Sequence, residues 1–190
     1  MVTKIGQTRD DAAGEAFDKI ARLLDLGYPG GPAIEKAAQI KETRFRFTPP
    51  MLEAKNFDFS FSGLKTEVLR TVQKQKMNLN LRKEIAKATQ EAIVKVLAEK
   101  SFLAAAKFKP KTFLLGGGVA ANTLLRSRLK KKLKKVLPED QILFCQKQYA
   151  GDNASMVALA AYFLKKEKKP WYSLKASPQN PLYEPTTNSF

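Results

Sequence analysis

The chain has 190 residues, of which 44% are hydrophobic and 27% charged, so it is long enough for one soluble domain with a hydrophobic core. Its net charge of +16 predicts an affinity for polyanions. The absence of histidine excludes Ser-His-Asp or Cys-His catalysis and a His-based metal site within this chain. The single cysteine, Cys145, excludes an internal disulfide framework. No apolar run approaches the roughly 20 residues that span a bilayer, and the first residues lack a signal-peptide layout, so we expect a reducing, cytoplasmic environment.

The first predicted helix follows a short strand-like segment, residues 1–7. It runs from Asp10 to Leu26, and Gly27 lies just past its end. Its apolar face consists of Ala13, Ala16, Phe17, Ile20, Leu23 and Leu24. On the opposite side Asp11, Glu15 and Asp18 align at spacings of four and three, next to Gly14. This acidic stripe is either a binding surface for a hydroxyl-rich ligand or the solvated face of the helix.

The next segment, Tyr28 to Pro32, reads YPGGP and predicts a rigid loop, either beside a ligand or as a connector between helices. Residues 41–60 appear irregular, except that Phe alternates with polar residues from Phe57 to Gly63, which predicts a strand. Two helices are expected after it, Leu64 to Lys74 and Leu79 to Ala106. The second is amphipathic through Ile85, Ala88, Ala92, Val96 and Leu103.

A glycine-rich turn follows the next predicted strand, Thr112 to Leu115. Gly116 to Gly118 would let the polar atoms of a ligand approach backbone N–H groups at the start of a helix, Ala121 to Val136, whose N-terminus favours negative charge. The turn matches neither G-x-G-x-x-G nor the P-loop pattern. Taken alone, it is a weak indication of nucleotide binding.

Basic residues concentrate in the second part of the chain. Residues 1–60 carry nine Lys/Arg and nine Asp/Glu, whereas residues 61–190 carry 25 and nine. The densest run, RSRLKKKLKK, extends from Arg126 to Lys135, and a second cluster spans Lys165 to Lys169. These runs indicate either contacts with RNA, mostly to phosphate because few aromatic residues are interleaved, or a solvated helix face.

The chain ends with a strand, Ile142 to Cys145, a helix, Ala154 to Lys165, and a poorly ordered tail rich in Pro, Ser, Asn and Thr. Strands that alternate with helices predict an α/β layer fold. Two polar positions have two interpretations each. Asn122 is either a helix cap or a ligand contact. Asp152 is likewise either a cap of the last helix or a ligand contact, and Asn153 is the other candidate for that cap.

Five blocks of sequence, taken together, resemble one family. They are GQTRDDAAGEAFDK (Gly6 to Lys19), YPGGP, FDFSFSGLKT (Phe57 to Thr66), GGGVAAN (Gly116 to Asn122) and GDNASM (Gly151 to Met156). In this order and spacing they closely resemble the tRNA threonylcarbamoyladenosine transferases of the bacterial TsaD or Gcp type, formerly described as glycoproteases or O-sialoglycoprotein endopeptidases. The resemblance covers roughly residues 4 to 165.

The resemblance implies an actin-like ATPase fold of the RNase H-like type and a specific reaction. Such enzymes transfer the threonylcarbamoyl group of threonylcarbamoyl-adenylate to the adenosine that follows the anticodon in tRNA. Asp18, Gly31 and Asn122 match substrate-binding positions of the family. Asp152 matches the carboxylate ligand of its single iron or zinc ion. Gln7 and Gly151 are small departures from the family pattern, where Glu and Thr are usual.

A larger departure is that family members carry an N-terminal half with a paired-histidine metal motif and a glycine-rich substrate segment. The resemblance therefore implies that residues 1–166 are the C-terminal portion of the transferase, truncated at the N-terminus, and that residues 167–190 form a disordered basic and polar tail. The chain is then the product of a split gene or of a truncated reading frame, or an expressed fragment, and a separate N-terminal half is one candidate partner. We expect the other metal ligands to come from the missing half, and partners similar to TsaB and TsaE. Alone, the chain is expected to be inactive.

Two alternatives of other classes remain beside the transferase. One is a non-catalytic scaffold that binds tRNA or a partner of the family through the basic surface. The other is a metallopeptidase, as the older family name suggests, and the absence of histidine and of an H-E-x-x-H helix argues strongly against it.

Overall fold

The computed structural model describes residues 2–163 and 170–173. In this part of the chain the fold is α/β, with helices around a small parallel sheet. The elements in chain order are α1 (Ala13–Leu23), α2 (Gly30–Ala37), α3 (Ser62–Gln73), α4 (Leu79–Phe108), β1 (Phe113–Leu115), α5 (Thr123–Leu133), β2 (Ile142–Phe144) and α6 (Ala154–Phe163). Short 3₁₀ turns lie at Gly118–Ala121, Glu139–Gln141, Lys147–Tyr149 and Trp171–Ser173.

Helix α1 confirms the first predicted helix but is shorter at both ends. Asp10 does not belong to it, because its carboxylate accepts hydrogen bonds from the backbone N–H groups of Phe61 (2.7 Å) and Ser62 (3.4 Å) at the start of α3. At the other end Asp25 adopts a left-handed conformation, with φ of 52°, which ends the helix. Only the central part of the prediction is therefore helical. The predicted apolar face is confirmed in part. Four of its members are buried and two, Ala13 and Leu23, are half-buried; the buried ones are Ala16, Phe17, Ile20 and Leu24.

The strand predicted from Phe57 to Gly63 is limited to one parallel bridge. Thr8 pairs with Phe59, where the Phe59 N–H donates to the Gln7 carbonyl and the Arg9 N–H donates to the Phe59 carbonyl, each at 2.8 Å. Beyond Phe59 the backbone enters α3, so the alternation of Phe and polar residues does not continue as a ladder. The N-terminal segment is nonetheless paired, as its strand-like sequence suggests.

Helix α2 was missed by the sequence prediction, which has a loop at Tyr28 to Pro32. The helix begins at Gly30, directly after the Tyr28–Pro29 cis peptide bond. Two glycines and Pro32 lower its apparent helical propensity, but proline is well tolerated in a first helical turn because its missing N–H has no partner there. Burial of Ile34 and Ala37 against α1 and α4 stabilises the helix through packing instead.

Helix α4 has 30 residues and belongs to two hydrophobic cores. Its N-terminal part packs with α1, α2 and α3, while Val94, Ala98 and Ala105 pack with α5 and the sheet. It therefore buries more than one face, whereas the sequence predicted a single apolar stripe. Four of the predicted stripe residues are buried, but Leu103 is 50% exposed.

The small sheet confirms both predicted strands. β1 and β2 are parallel, with Phe113 opposite Ile142 and Leu115 opposite Phe144. These four residues pack against the second core, on the face covered by α5, which contributes three leucines one helical turn apart: Leu125, Leu129 and Leu133. The basic residues of α5 consequently point away from the core.

Helix α6 differs from the others because all of its described residues are exposed, including several large apolar ones: Met156, Val157, Leu159, Tyr162 and Phe163. The last residues of the helix predicted from Ala154 to Lys165, the cluster Lys165 to Lys169 and most of the tail 167–190 lie outside the described residues. Among the described helices, none is long and apolar enough to cross a membrane.

Candidate functional site

The glycine turn between β1 and α5 presents open backbone. Gly116, Gly117 and Gly118 are exposed, and a Cβ added at any of them would meet no atom within 4 Å. Gly117 has φ of 85°, a conformation that favours glycine. The turn therefore offers backbone polar atoms to a ligand without obstruction by side chains, as the sequence predicted.

The N-terminus of α5 is, in contrast, already occupied. The Thr123 N–H donates to Glu35 Oε1 at 2.7 Å, and the Leu125 N–H donates to Asn122 Oδ1 at 2.9 Å. Since these are two of the N–H groups that a bound anion would use, α5 does not supply a free anion site. The open backbone of the glycine turn remains available for a ligand.

Asn122 is the N-cap of α5, so the capping interpretation of this residue is confirmed. It is 6% exposed. Its Nδ2 donates to Gln90 Oε1 of α4 at 2.9 Å, so both polar atoms of the side chain have protein partners. A direct ligand contact would use the remaining lone pair of Oδ1 or the second hydrogen of Nδ2. Sequence analysis missed Gln90, whose only signal is a polar residue on a buried helix face.

The glycine turn forms one wall of the candidate site, and α1 with the start of α2 forms the other, the α1/α2 wall. Asp18 Oδ1 accepts a hydrogen bond from the Gly30 N–H at 2.7 Å. A Cβ at Gly30 would lie 2.4 Å from Asp18 Cα, so only glycine permits this approach of the two helices. Gly31 lies beside it with nothing within 4 Å of an added Cβ. Among the described residues, Asp18 Oδ2 has no hydrogen-bond partner, which leaves it free to accept one.

The other members of the acidic stripe have structural partners. Asp11 forms an ion pair with Lys19, and Glu15 Oε2 accepts from the Ala12 N–H at the start of α1, at 2.8 Å. The carboxylates of Asp11 and Glu15 therefore serve α1 itself. Among the described residues each of the three carboxylates keeps one oxygen without a hydrogen-bond partner, and Asp18 differs because its bonded oxygen holds the start of α2.

The two walls are in contact. A Cβ added at Gly14 of α1 would lie 3.7 Å from Val119 Cγ2, in the 3₁₀ turn that follows the three glycines. Glu35, one helical turn after Gly31, bridges α2 to Thr123 of α5. The structure thus brings the elements that carry Asp18, Gly31 and Asn122 against one another. Glu35 was missed by sequence analysis because its partner is 88 positions away.

Asp152 lies in the segment before α6 and is exposed. Its neighbour Asn153 caps α6, with Oδ1 accepting from the Met156 N–H at 2.9 Å, so the capping interpretation holds for Asn153. Within the part of the chain that the structure describes, no group of three His, Cys, Asp or Glu residues is arranged to hold a metal ion. The described residues therefore do not form a metal site by themselves.

The basic run of α5 is partly neutralised by the protein. Lys130 and Lys134 both contact Glu139, at 2.5 and 2.6 Å, and their hydrogen bonds lower the pKa of Glu139 to about 2. Lys132 pairs with Glu99 at 2.6 Å. Arg126 donates to the carbonyls of Ala120 and Cys145, which ties the glycine turn to the residue after β2. The surface is consequently less positive than the run of letters suggests.

Comparison with known proteins identifies the family. Its model, described as tRNA N6-adenosine threonylcarbamoyltransferase, matches residues 1–159. The chain belongs to this family. The resemblance inferred from the five sequence blocks is therefore confirmed.

Curated relatives of the same name extend this result. A protein of Thermosipho africanus is 46% identical over 164 residues, which are 86% of this chain and 49% of the relative. One of Desulfitobacterium hafniense is 46% identical over 183 residues, 92% of this chain and 52% of the relative. One of Kosmotoga olearia is 48% identical over 160 residues, which are 84% of this chain and 47% of the relative. The chain spans about half the length of the curated relatives it matches.

Proposed function

We propose that this chain forms part of a tRNA N6-adenosine threonylcarbamoyltransferase with an actin-like, RNase H-like ATPase fold, and that the contact between the α1/α2 wall and the glycine turn is its adenylate site. In the proposed reaction the N6 amine of the adenosine that follows the anticodon bonds to the carbamoyl carbon of threonylcarbamoyl-adenylate. The bond from that carbon to the phosphate oxygen breaks, AMP leaves, and the amine loses a proton. The observation that carries the proposal is the meeting of Asp18, Gly31 and the glycine turn on adjoining elements.

Three residues bind the adenylate in this proposal. Asp18 holds α2 through Oδ1 and has Oδ2 free to accept a hydrogen bond from a ribose hydroxyl. Gly31 has open space where a side chain would stand, so the nucleoside can approach the backbone. Asn122 fixes the end of the glycine turn and the start of α5. The open backbone at Gly116 to Gly118 would then face the phosphate.

The family's iron or zinc ion does not fit the described residues alone, since they include no set of three suitable ligands and the chain has no histidine. In our proposal Asp152 contributes one carboxylate, and the remaining ligands come from outside the described residues. We derive no reaction step from the metal. The exposed position of Asp152, without a hydrogen bond or ion pair among the described residues, is compatible with this role.

The proposed organisation follows from the same resemblance. In this proposal residues 1–166 act as the C-terminal portion of the transferase. A separate N-terminal half, tRNA, and proteins similar to TsaB and TsaE are the proposed partners, and the enzyme acts in the cytoplasm. Lys131 of α5 and Lys135 just after it are exposed, have no acidic partner among the described residues and support a contact with tRNA phosphates.

The experiment is a transfer assay with tRNA and threonylcarbamoyl-adenylate. The chain is tested alone and together with a polypeptide covering the part of the Thermosipho africanus relative that this chain does not match. We expect no turnover from the chain alone and turnover from the mixture. Turnover by the isolated chain close to that of the full-length relative would contradict the proposed need for a second half.

A matched pair of variants tests the role of Asp18 in the mixture. Asp18→Asn keeps an oxygen for the Gly30 N–H and loses the charge, while Asp18→Ala loses both. We expect Asp18→Asn to fold normally and to raise the KM for threonylcarbamoyl-adenylate. Unchanged kinetics in Asp18→Asn would contradict a ribose contact.

A second candidate function is a scaffold without catalysis, which binds tRNA or a partner through the basic surface. The observation that favours it is the basic run Arg126 to Lys135, in which Lys131 and Lys135 are exposed and have no acidic partner among the described residues. It predicts tRNA binding by the chain that depends on salt but not on Asp18, and no turnover in any mixture.

A further inference from the structure

We propose that Gln90 is a positioning residue for the adenylate site, because its side-chain carbonyl orients the Asn122 amide and thereby sets where the glycine turn stands relative to α1 and α2. The inference rests on the proposed function, since it assigns to the same site a residue that contacts no substrate. It begins from a polar pair buried between α4 and α5. Gln90 and Asn122 are each 6% exposed and are 2.9 Å apart between Oε1 and Nδ2.

The orientation of the Asn122 amide is determined from both sides. Its Oδ1 accepts from the Leu125 N–H, and its Nδ2 donates to Gln90. Turning the amide over would set Nδ2 against the Leu125 N–H, donor against donor. It would also set Oδ1 against Gln90 Oε1, unless Gln90 turned as well. The cap and Gln90 therefore select the same arrangement.

The pair connects the glycine turn to α4, the helix that packs against both α2 and α5. Asn122 is the residue at which the turn ends, and its N–H donates to the Val119 carbonyl at 3.0 Å. Val119 contacts α1, as described above. α4, which carries Gln90, packs against α2 as well as α5. Through Gln90, the turn is tied to the same helix that supports Gly31.

Burial gives the pair its energetic weight. A buried amide without a hydrogen-bond partner costs more than the bond itself contributes, so loss of one partner is felt by the other. The neighbouring Thr89 offers a direct contrast. It is fully buried on the same helix, and its hydroxyl has no partner among the described residues. Thr89→Val is therefore a matched control that changes a buried polar group of α4 without affecting Asn122.

The test uses pairs of variants that preserve or break the hydrogen bond. In Gln90→Glu the carboxylate still accepts from Asn122 Nδ2. In Asn122→Asp the carboxylate still caps α5, and the Gln90 amide turns to donate to it. The combination of both places two carboxylates face to face, and Gln90→Leu removes the acceptor. Each is made in the full 190-residue chain, with Thr89→Val as the control.

Hydrogen exchange of the backbone is the first readout. We expect Gln90→Leu to raise exchange at residues 117–125 by at least about tenfold, with Thr89→Val close to the parent. Gln90→Glu and Asn122→Asp each keep a hydrogen bond but bury a charge, so we expect the double variant to raise exchange by at least about tenfold beyond their combined effects. A double variant equal to the sum of its single variants would overturn the proposal, because a residue that merely fills the core has no reason to couple to Asn122. If Gln90→Leu unfolds, the exchange of the double variant, compared with that of Gln90→Glu and Asn122→Asp, still decides whether Gln90 and Asn122 are coupled.

AMP binding by calorimetry is the second readout. We expect affinity about tenfold weaker in Gln90→Leu and in the double variant, and within about threefold of the parent in Gln90→Glu and Thr89→Val. Unchanged AMP affinity in a double variant with raised exchange would overturn the positioning role. If the parent chain itself binds no AMP, the adenylate site of the isolated chain is contradicted, and the exchange data then decide whether Gln90 positions Asn122.

Discussion

The two walls of the candidate site use glycine for opposite reasons. At Gly30 the backbone of α2 comes so close to α1 that an added Cβ would lie 2.4 Å from Asp18 Cα and 2.6 Å from the Phe17 carbonyl oxygen. At Gly116 to Gly118 nothing lies within 4 Å of the same added atom. One wall is closed by protein packing, and the other is left open.

This difference separates stability from binding. Substitution at a packed glycine must move backbone, which the core resists. Substitution at an open glycine leaves the core alone and changes only the space that a ligand would enter. We therefore expect substitution of Gly30 to report on folding and substitution in the glycine turn to report on the proposed adenylate site.

Gly30→Ala should have the largest effect on stability. The added methyl group collides with the backbone of α1, so we expect the free energy of unfolding to fall by about 3 kcal/mol. Urea unfolding of the purified chain measures it. Gly31→Ala is the matched control, one residue along the same helix with open space around it. We expect it to fold at least as well as the parent, and equal losses in both variants would contradict the distinction between the walls.

Gly117→Ala should have an intermediate effect. Its φ of 85° is unfavourable for alanine although no atom obstructs the side chain, so we expect a loss of about 1.5 kcal/mol in the free energy of unfolding. The same urea experiment measures it. A loss as large as that of Gly30→Ala would mean that the glycine turn is packed rather than open.

Asp10→Ala tests how the N-terminal segment holds the start of α3, which packs against α1 of the α1/α2 wall. Burial would raise the pKa of Asp10, but hydrogen bonds from Ser60, Phe61 and Ser62 outweigh it and lower the pKa to about 2. Because the pKa of Asp10 in the folded chain lies below its ordinary value of 3.8, the stabilisation is present above about pH 4 and is lost as the pH falls towards 2.

The expected loss of stability in Asp10→Ala at pH 7 is about 1 kcal/mol, typical of a residue that caps a helix. Thermal unfolding at pH 7 and pH 2.5 measures it. The difference between parent and variant should shrink at the lower pH. A difference that stays constant between the two pH values would show that the carboxylate charge does not contribute.

Gly116→Ala should have the smallest effect on folding, within about 0.5 kcal/mol of the parent. Its methyl group projects into the space proposed for the adenylate, so AMP affinity measured by calorimetry should fall although the chain remains stable. Unchanged affinity in a folded Gly116→Ala variant would place the ligand elsewhere.

Local sequence patterns predicted most of the helices and both strands of the sheet because periodic burial dominates there. The spacing of Leu125, Leu129 and Leu133 agrees with α5. The apolar residues of β1 and β2 predict the strands correctly but not their burial, since Leu114 and Leu143 are exposed. Helix α2 was missed because Gly30, Gly31 and Pro32 resemble a loop. Its stability comes from packing of Ile34 in the core, which no local pattern reveals.

The candidate site was predictable in its parts but not in its connections. Asp18, Gly31 and Asn122 came from a resemblance to a family, and their roles remain predictions. The contacts that join their elements depend on distant pairs, Glu35 with Thr123 and Gln90 with Asn122. Such pairs leave no trace in local composition. For the same reason Asp10 was assigned to the wrong helix, since its partners lie 50 to 52 positions later.

Helix α4 has a consequence for how the molecule comes apart. At about 1.5 Å per residue its 30 residues extend roughly 45 Å, and they contribute to both hydrophobic cores. If one core unfolded while α4 stayed intact in the other core, the apolar residues of α4 that belong to the unfolded core would be exposed to water. Melting should therefore be a single cooperative transition for both walls of the site, with no temperature at which one wall persists alone.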